Sequence, residues 1–263
     1  MPLTSTKNPL IQKVRRAIAD GRPMEDGCVV AEGPNLLAEA LRGTWGVEHI
    51  LCSSECRGQH SKLLDEANGR GIEIDEVAGR AFEAMSGTEK SQGVLCLMRP
   101  RLFGWSDVLG GSGPVVILDG IQDPGNAGAI VRSTEAFGGA GVVLTEGCVR
   151  VSNGKFLRAA AGSLFRVPYV ENVSRDDVVR GLAEGGRTIF SLAAKGAESL
   201  FKRELRGEFA VVVGSEGGGI SEPLEKASRG LSIPTRGVES LNAAIACSLA
   251  LFEAARQREA RSR

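Results

Sequence analysis

Hydrophobic residues in the N-terminal part of the chain recur alternately at helical and at strand spacing. Apolar residues three or four positions apart predict helices that contain Ile11–Ile18, Leu36–Leu41 and 61–68. Short apolar runs predict strands at 28–31, 47–52, 72–77 and 93–98. Because strands and helices alternate, this part is predicted to form a small α/β unit.

The same alternation resumes at residue 115. Val115–Leu118 is a continuous apolar run, which is typical of a parallel strand covered on both faces. Further strands are predicted at 141–144, 167–170, 188–192, 209–213 and 231–233, and helices at 126–137, 153–162, 175–184 and 222–229. A last helix is predicted from about residue 241, with a core-facing stripe formed by Leu241, Ile245, Leu249 and Phe252. The second part is therefore predicted to be a parallel α/β domain.

The segment between the two parts has no clear period. Residues 100–114 contain closely spaced glycines and begin and end with proline. We therefore predict an α/β domain at 1–100, a linker at 101–113 and a second α/β domain at 114–263. The chain contains no internal repeat and no low-complexity segment.

Composition and charge narrow the possible functions. The 263 residues are 42% hydrophobic and 24% charged, which excludes a disordered chain. Equal numbers of acidic and basic residues give no net charge, so a polyanion would have to meet a local basic patch. Two stretches without acids supply candidate phosphate contacts, with a solvated helix face as the alternative: Lys7, Lys13, Arg15 and Arg16 in the first, and Arg150, Lys155, Arg158 and Arg166 in the second.

The chain shows no apolar run long enough to cross a membrane and no signal-peptide pattern, so we expect a cytoplasmic protein. Its six cysteines are then expected to be free thiols. One group, His49, Cys52, Cys56 and His60, has metal-ligand chemistry, but its spacing is not a common zinc pattern. We favour ordinary packing or surface positions for these residues and expect no metal.

Polar residues are densest directly after the strand at 115–118. The run from Asp119 to Arg132 joins a glycine- and Asx-rich turn to a helix, and parallel α/β sheets bind ligands at such strand ends. Each residue also has an ordinary structural explanation, since Asn126 is a natural helix N-cap and Asp123-Pro124-Gly125 a common turn. The density of polar side chains at one strand end is what favours a site.

Two later segments have the same character. Gly214–Gly219 follows a buried strand, and Glu216 is its one acidic residue; a solvated turn is the alternative. Ile233-Pro234 and Glu239–Asn242 precede the last helix, where Ser240 could be only a cap. No segment has the glycine spacing of a dinucleotide-binding turn or a P-loop, so a nicotinamide-dependent oxidoreductase is not supported.

Taken together, the three segments resemble the three motifs of the SpoU/TrmH-type RNA 2′-O-ribose methyltransferases of the SPOUT superfamily. The resemblance rests on Asp123–Arg132 with Ala136-Phe137-Gly138, on Gly214–Gly219, and on Ile233-Pro234 with Glu239–Asn242. Weaker marks in the first domain are Asn8–Ile11, Ala31-Glu32-Gly33 and Ser91–Val94. The resemblance implies a parallel-sheet domain with a deep trefoil knot, preceded by a small RNA-binding α/β domain that is similar to a ribosomal protein. It also implies a homodimer that uses S-adenosylmethionine.

The resemblance assigns roles to individual residues. It implies cofactor binding by Leu192, Gly214, Glu216, Gly217, Ile233 and Leu241, and a reaction site lined by Asn126, Arg132, Glu216, Ser240 and Asn242. Arg132 is the group expected to act on the 2′-hydroxyl across the dimer. Because a guanidinium stays protonated, we expect it to anchor phosphate or to stabilise alkoxide charge. RNA contacts are expected from Lys7, Lys13, Arg15, Arg16, Arg150, Lys155 and Arg158.

Two positions depart from the family pattern. Ala160 stands where family members often have serine, and Thr235 stands where methionine is common. The substantial N-terminal domain resembles the ribosomal-RNA branch of the family more, so the resemblance implies ribosomal RNA as the substrate, with transfer RNA as the alternative. Two further hypotheses keep the same fold: a methyltransferase that confers antibiotic resistance, and an RNA-binding protein without catalytic activity.

Overall fold

The computed structural model describes residues 2–192 and 197–260. The chain divides into two compact units. Unit 1 comprises Met1–Leu102 and Arg150–Arg166, and unit 2 comprises Phe103–Val149 and Val167–Arg263. The outer ends of the two predicted domains, residues 1 and 263, lie outside the described residues.

Unit 1 begins with a four-stranded mixed sheet and its helices. The elements are α1 (Pro9–Asp20), β1 (Val29–Glu32), α2 (Pro34–Arg42), β2 (Gly46–Ser53), α3 (Ser61–Gly69), β3 (Glu73–Val77), α4 (Gly79–Glu83) and β4 (Val94–Arg99). The strand order is β1-β4-β2-β3, in which β4 is antiparallel to both neighbours and β2 is parallel to β3. The helical stripe of α1 buries Ile11 and Val14 in the core of this unit.

Unit 2 is built on a seven-stranded sheet in which every neighbouring pair of strands is parallel. From Phe103 on, the elements in chain order are α5 (Trp105–Leu109), β5 (Val115–Asp119), α6 (Pro124–Ala136), β6 (Gly141–Thr145), α7 (Gly154–Ala160, in unit 1), β7 (Tyr169–Val173), α8 (Arg175–Glu184), β8 (Thr188–Leu192), β9 (Glu198–Ser199), β10 (Phe209–Gly214), α9 (Glu222–Ala227), β11 (Arg229–Ser232) and α10 (Ala243–Glu259). The strand order is β7-β6-β5-β10-β8-β11-β9. The α/β class and the parallel sheet are as predicted.

The core of unit 2 explains why its strands read as continuous apolar runs. All five residues of β5 are buried. Helices α5, α8 and α9 cover Val115 and Ile117 in one hydrophobic cluster, and the alternate residues Val116 and Leu118 are also fully buried. Since both faces of β5 are covered, alternation is absent from its sequence.

Residues 150–166, predicted to lie in the C-terminal domain, belong to unit 1 instead. The ring centroids of Phe165 and Trp45 are 5.0 Å apart, the Phe165 carbonyl accepts from Thr44, and Ser152 Oγ donates to the Gly21 carbonyl over 2.8 Å. The sequence shows that a helix follows β6, but the periodicity of that helix does not reveal which sheet it packs against.

The segment predicted as a linker is ordered. It contains α5, and the buried Arg187 guanidinium donates hydrogen bonds to three backbone carbonyls, those of Leu109, Gly111 and Gly113. The short strand β9 was not predicted. The core face predicted for α10 was wrong: Ile245, Leu249 and Phe252 are 53%, 40% and 52% exposed. The buried side of α10 consists mainly of small residues, namely Ala244, Cys247, Ala250, Leu251 and Ala254.

No described helix has the length and apolar character of a membrane span. The six cysteines are free thiols, as predicted. His49 on β2 lies beside Glu73 and Asp75, whereas Cys52 is fully buried and His60 contacts the Gln92 carbonyl. Within residues 2–192 and 197–260, no group of three metal-ligating side chains is arranged around a common point.

Candidate functional site

Three side chains from the three polar segments meet at the carboxyl end of the unit 2 sheet. Asn126 Nδ2 donates to Glu216 Oε1 over 3.1 Å. Asn242 Nδ2 donates to the same oxygen over 3.0 Å and to Asn126 Oδ1 over 2.9 Å. We call these residues the amide–carboxylate cluster. Asn126 is half-buried, while Glu216 and Asn242 are exposed, so a ligand can reach the cluster from solvent.

Helix starts fix the side-chain amide of Asn242 and the backbone of Asn126. Asn242 is the N-cap of α10, and its Oδ1 accepts from the backbone amides of Ala244 and Ile245. Its Nδ2 must therefore face the cluster. Asp123, not Asn126, caps α6 and accepts from the Asn126 amide over 2.6 Å. The sequence left open that Asn126 caps α6 and that Ser240 caps α10, and both of these interpretations are wrong.

The Glu216 carboxylate lies beside the first turns of two helices. Asn126 is in the first turn of α6, and Asn242 caps α10. The N-terminus of a helix carries partial positive charge, which stabilises a nearby carboxylate. The glutamate thus accepts from two side-chain amides, each of which belongs to a residue at a helix start.

The loop after β10 holds Glu216 through its own backbone. Ser215 and Gly219 exchange two backbone hydrogen bonds of 3.1 and 2.9 Å, and Gly219 has a φ of +63°. At Gly214, a Cβ atom would lie 2.3 Å from the Gly219 carbonyl oxygen. The loop can fold back on the strand only because residue 214 has no side chain.

A cleft of about 660 Å³ opens beside this loop. It runs between the ends of β8 and β10 and the start of α10, and its walls include Leu192, Gly214, Glu216 and Leu241. A narrower extension is lined by Ile233 and Ser240. Gly217 lies instead on a neighbouring cavity next to Asn126. Four of the six residues predicted to bind the cofactor therefore line the cleft, and the fifth, Ile233, lines a cavity that shares Leu192 and Leu241 with it.

The remaining predicted residues lie elsewhere. Arg132 is exposed on α6, and it forms no ion pair with any residue that the structure describes. Lys7, Lys13, Arg15 and Arg16 in or next to α1, and Arg150, Lys155 and Arg158 in or next to α7, all belong to unit 1.

Neither cysteine of unit 2 is placed to act as a nucleophile. Burial raises the pKa of Cys247 to about 12. Burial also raises the pKa of Cys148, whose thiol donates to the Leu118 carbonyl over 3.1 Å. Both thiols are therefore neutral near pH 7, whereas a cysteine nucleophile must be a thiolate. Neither cysteine can therefore serve as a nucleophile for this site.

One residue close to the site was not assigned a role from the sequence. Asp119, the last residue of β5, is 2% exposed, and its carboxylate contacts residues from three separate segments. The sequence signal was its position at the end of an apolar strand. Nothing local indicated that its partners are 26 to 102 residues away.

The model of the SpoU rRNA Methylase family matches residues 113–252, the range that contains the whole amide–carboxylate cluster. The chain belongs to the SpoU rRNA methylase family. A second model, RNA 2′-O ribose methyltransferase substrate binding, matches residues 30–102. The resemblance found in the sequence is thereby confirmed, and this SpoU family member is an RNA 2′-O-ribose methyltransferase.

Known SpoU relatives match nearly the whole chain. An uncharacterized tRNA/rRNA methyltransferase of Synechocystis is 30% identical, with 99% of this chain and 95% of the relative covered. The 23S rRNA (guanosine(2553)-2′-O)-methyltransferase of Bacillus subtilis is also 30% identical, covering 95% and 97%. Among solved structures, an AdoMet-bound rRNA methyltransferase from Sinorhizobium meliloti has a TM-score of 0.85 at 25% identity, covering 97% of both chains.

Proposed function

We propose that the protein transfers a methyl group from S-adenosylmethionine to a ribose 2′-hydroxyl of ribosomal RNA. The observation that carries the proposal is the amide–carboxylate cluster at the edge of the cleft. It joins residues of all three motifs within hydrogen-bond distance. The 23S rRNA activity of the Bacillus subtilis relative supports ribosomal RNA as the substrate class.

The cleft fits S-adenosylmethionine. Its volume of about 660 Å³ is within the range of small-molecule sites, roughly 300–1,000 Å³. Leu192, Ile233 and Leu241 offer apolar walls for an adenine ring, while Glu216 offers a carboxylate for hydroxyl groups or for the positive charge of the donor. The absence of a side chain at Gly214 leaves the backbone open to close approach.

When bound, the cofactor supplies an electrophilic methyl group on a sulfonium. The protein's own task is to align a ribose hydroxyl with that group and to ease the loss of its proton. The hydrogen bonds of the cluster orient Glu216 and both side-chain amides relative to one another, and such preorganisation supports the alignment. We assign substrate orientation to Asn126, Asn242 and Ser240.

Arg132 completes the site in this proposal from a second protomer. It is exposed on α6, the helix that packs on α10. The outer side of α10 presents Ile245, Leu249 and Phe252 to solvent. Three large apolar side chains exposed along one helix support an interface there. We infer a homodimer formed through α6 and α10, in which Arg132 anchors phosphate or stabilises developing alkoxide charge.

RNA binding is proposed for unit 1. The two basic stretches, distant in sequence, belong to this unit, and the end of α1 meets the start of α7 where Ser152 donates to the Gly21 carbonyl. Arg15, Arg16, Arg150 and Lys155 are exposed and form no ion pair with any carboxylate in the described parts of the chain. Lysine and arginine side chains free of acids are suited to phosphate contacts.

We further propose the trefoil knot of the superfamily for unit 2. After β11, which lies beyond β8 in the sheet, the chain returns to place α10 against α6. This return passes the Gly214–Ile220 loop, since Asn242 bonds to Glu216 there. The contact supports a threaded C-terminal segment, which would be an exception to the usual unknotted connections.

Methyl transfer from labelled S-adenosylmethionine tests the function. Total ribosomal RNA and total transfer RNA from a strain that lacks the protein are offered in parallel. Label in ribosomal RNA at one position resistant to alkaline cleavage is the expected result. Label in transfer RNA alone would overturn the substrate class, and no label in either pool together with no cofactor binding would favour an RNA-binding protein without catalytic activity.

A further inference from the structure

Asp119 is a buried carboxylate that the proposed chemistry does not use. Its Oδ2 accepts from the Ser221 backbone amide over 2.6 Å, and its Oδ1 accepts from Arg175 Nε over 3.0 Å and from Thr145 Oγ1 over 3.3 Å. A buried charge is costly unless it is paired and hydrogen-bonded. Here the Arg175 cation, the Ser221 amide and the Thr145 hydroxyl together stabilise the charge of Asp119.

The partners of Asp119 belong to different parts of unit 2. Thr145 ends β6, Arg175 begins α8, and Ser221 ends the loop that follows β10. Thr145 Oγ1 also accepts from the Gly120 backbone amide over 3.0 Å. One carboxylate thus connects the start of the 120–123 segment with the end of the 214–221 loop.

These two segments carry Asn126 and Glu216 of the amide–carboxylate cluster. The first leads into α6 and Asn126, and the second holds Glu216, whose Oε1 is 3.1 Å from Asn126 Nδ2. The 217–219 part of the loop consists of three exposed glycines. Because glycine has the largest backbone freedom, the position of such a loop depends on its few anchors. The Ser221–Asp119 bond is the anchor at its far end.

We propose that Asp119 is a positioning residue: its carboxylate holds the 214–221 loop so that Glu216 meets Asn126. It acts through the loop and contacts no reacting atom. The kinetic part of its test rests on the proposed function, whereas the structural part does not depend on any activity.

Asp119→Asn is compared with Thr134→Val in the full-length protein. Thr134 is buried on α6, and among the residues that the structure describes its hydroxyl bonds only to the Ile130 carbonyl of the same helix, so this control loses one buried hydrogen bond without touching either segment. Hydrogen–deuterium exchange is followed on peptides that cover 214–221. We expect exchange at least fivefold faster in Asp119→Asn and unchanged within twofold in Thr134→Val.

The kinetic readout separates positioning from a general loss of stability. Below the unfolding transition, Asp119→Asn is expected to lower kcat/KM for the cofactor at least tenfold, with the Kd for RNA unchanged within twofold. In the double variant Asp119→Asn/Arg175→Gln, the two amide side chains can hydrogen-bond to each other. This variant is expected to restore part of kcat/KM. Loop exchange and kcat/KM in Asp119→Asn that match Thr134→Val would overturn the proposal.

A second variant decides the matter if Asp119→Asn does not fold. Ser221→Pro removes the backbone amide that donates to Asp119, and the Ser221 φ of −66° suits proline. Faster exchange at 215–219 is expected, and unchanged exchange there would contradict the inference. A wild-type protein that transfers no methyl group would sink the proposed function, and the exchange comparison would still decide the role of Asp119.

Discussion

Asn242 donates a hydrogen bond of 2.9 Å to the side-chain oxygen of Asn126, although 116 residues separate the two in the chain. Asn126 lies in the first turn of α6 and Asn242 caps α10, two helices that pack together. The bond therefore ties the position of the amide–carboxylate cluster to the packing of these helices. In the proposed homodimer the same helices form the interface, so the geometry of the site and the assembly of the enzyme depend on each other.

Gly214→Ala is expected to weaken cofactor binding at least tenfold. The added methyl would meet the Gly219 carbonyl oxygen at 2.3 Å and push the loop off the strand. Gly207→Ala is the matched control, because a Cβ there meets nothing within 4 Å. Calorimetric titration with S-adenosylmethionine measures the effect. Equal affinities of the two variants would remove the loop from the cofactor site.

Phe252→Asp is expected to convert a dimer into monomers and to abolish methyl transfer. The substitution places a charge in the exposed apolar stripe of α10, where Phe252 packs edge-on against Phe137 at 5.7 Å. Phe201→Asp is the control, since Phe201 is 75% exposed and lies outside α10. Light scattering after size-exclusion chromatography gives the mass. A wild-type protein that is monomeric at micromolar concentration would rule out the interface.

Replacing Arg15 and Arg16 by glutamine is expected to weaken RNA binding and to reduce its salt dependence. Each phosphate contact contributes about 0.7 to 0.9 to the slope of log K against log salt, so the slope should fall by roughly 1.5. The pair Lys62→Gln and Arg80→Gln removes two exposed charges elsewhere in unit 1. Filter binding at salt concentrations from about 50 to about 200 mM compares the slopes of the two double variants. Equal slopes for both double variants would exclude an RNA contact at Arg15 and Arg16.

The stability of unit 1 should depend on the ionisation of Glu32. Burial opposes its charge, but hydrogen bonds from Ser86, Thr88, Ser91 and the Gly87 amide outweigh burial and hold the pKa of Glu32 below its ordinary 4.5. A lowered pKa means that the stabilisation is present above pH 4.5 and is lost as pH falls further. Glu32→Gln should cost about 1–3 kcal/mol at pH 7, and the difference should shrink toward pH 3.5.

Urea unfolding at pH 7, 5 and 3.5 measures this dependence, with the exposed Glu83→Gln as the control. The experiment also tests what stabilises the 86–91 loop, because four of the hydrogen bonds to Glu32 come from this loop. A difference between Glu32→Gln and wild type that stays constant from pH 7 to 3.5 would show that the charge of Glu32 is not what stabilises this loop.

The sequence predicted most helices and strands because their local periodicity is strong. The bounds of α8 and β8 agree at every residue, whereas α5 was missed because five residues between glycines show no period. The outward side of α10 was predicted as core, since residues 243–252 are nearly all apolar and such a stretch does not reveal which face its own chain covers. Motif resemblance placed Asn126, Glu216 and Asn242 in one site, but neither the hydrogen bonds among them nor the Asp119 contacts are local properties.

The central claim is that the amide–carboxylate cluster is the reacting site. Its most direct test is the single-turnover rate of methyl transfer to ribosomal RNA at saturating cofactor. Asn126→Ala and Arg132→Ala are each expected to lower this rate by more than about tenfold, which corresponds to about 1.4 kcal/mol of barrier, without lowering the melting temperature. Asn68→Ala, an exposed asparagine in unit 1, should leave it unchanged. Rates near wild type in both Asn126→Ala and Arg132→Ala would contradict the account.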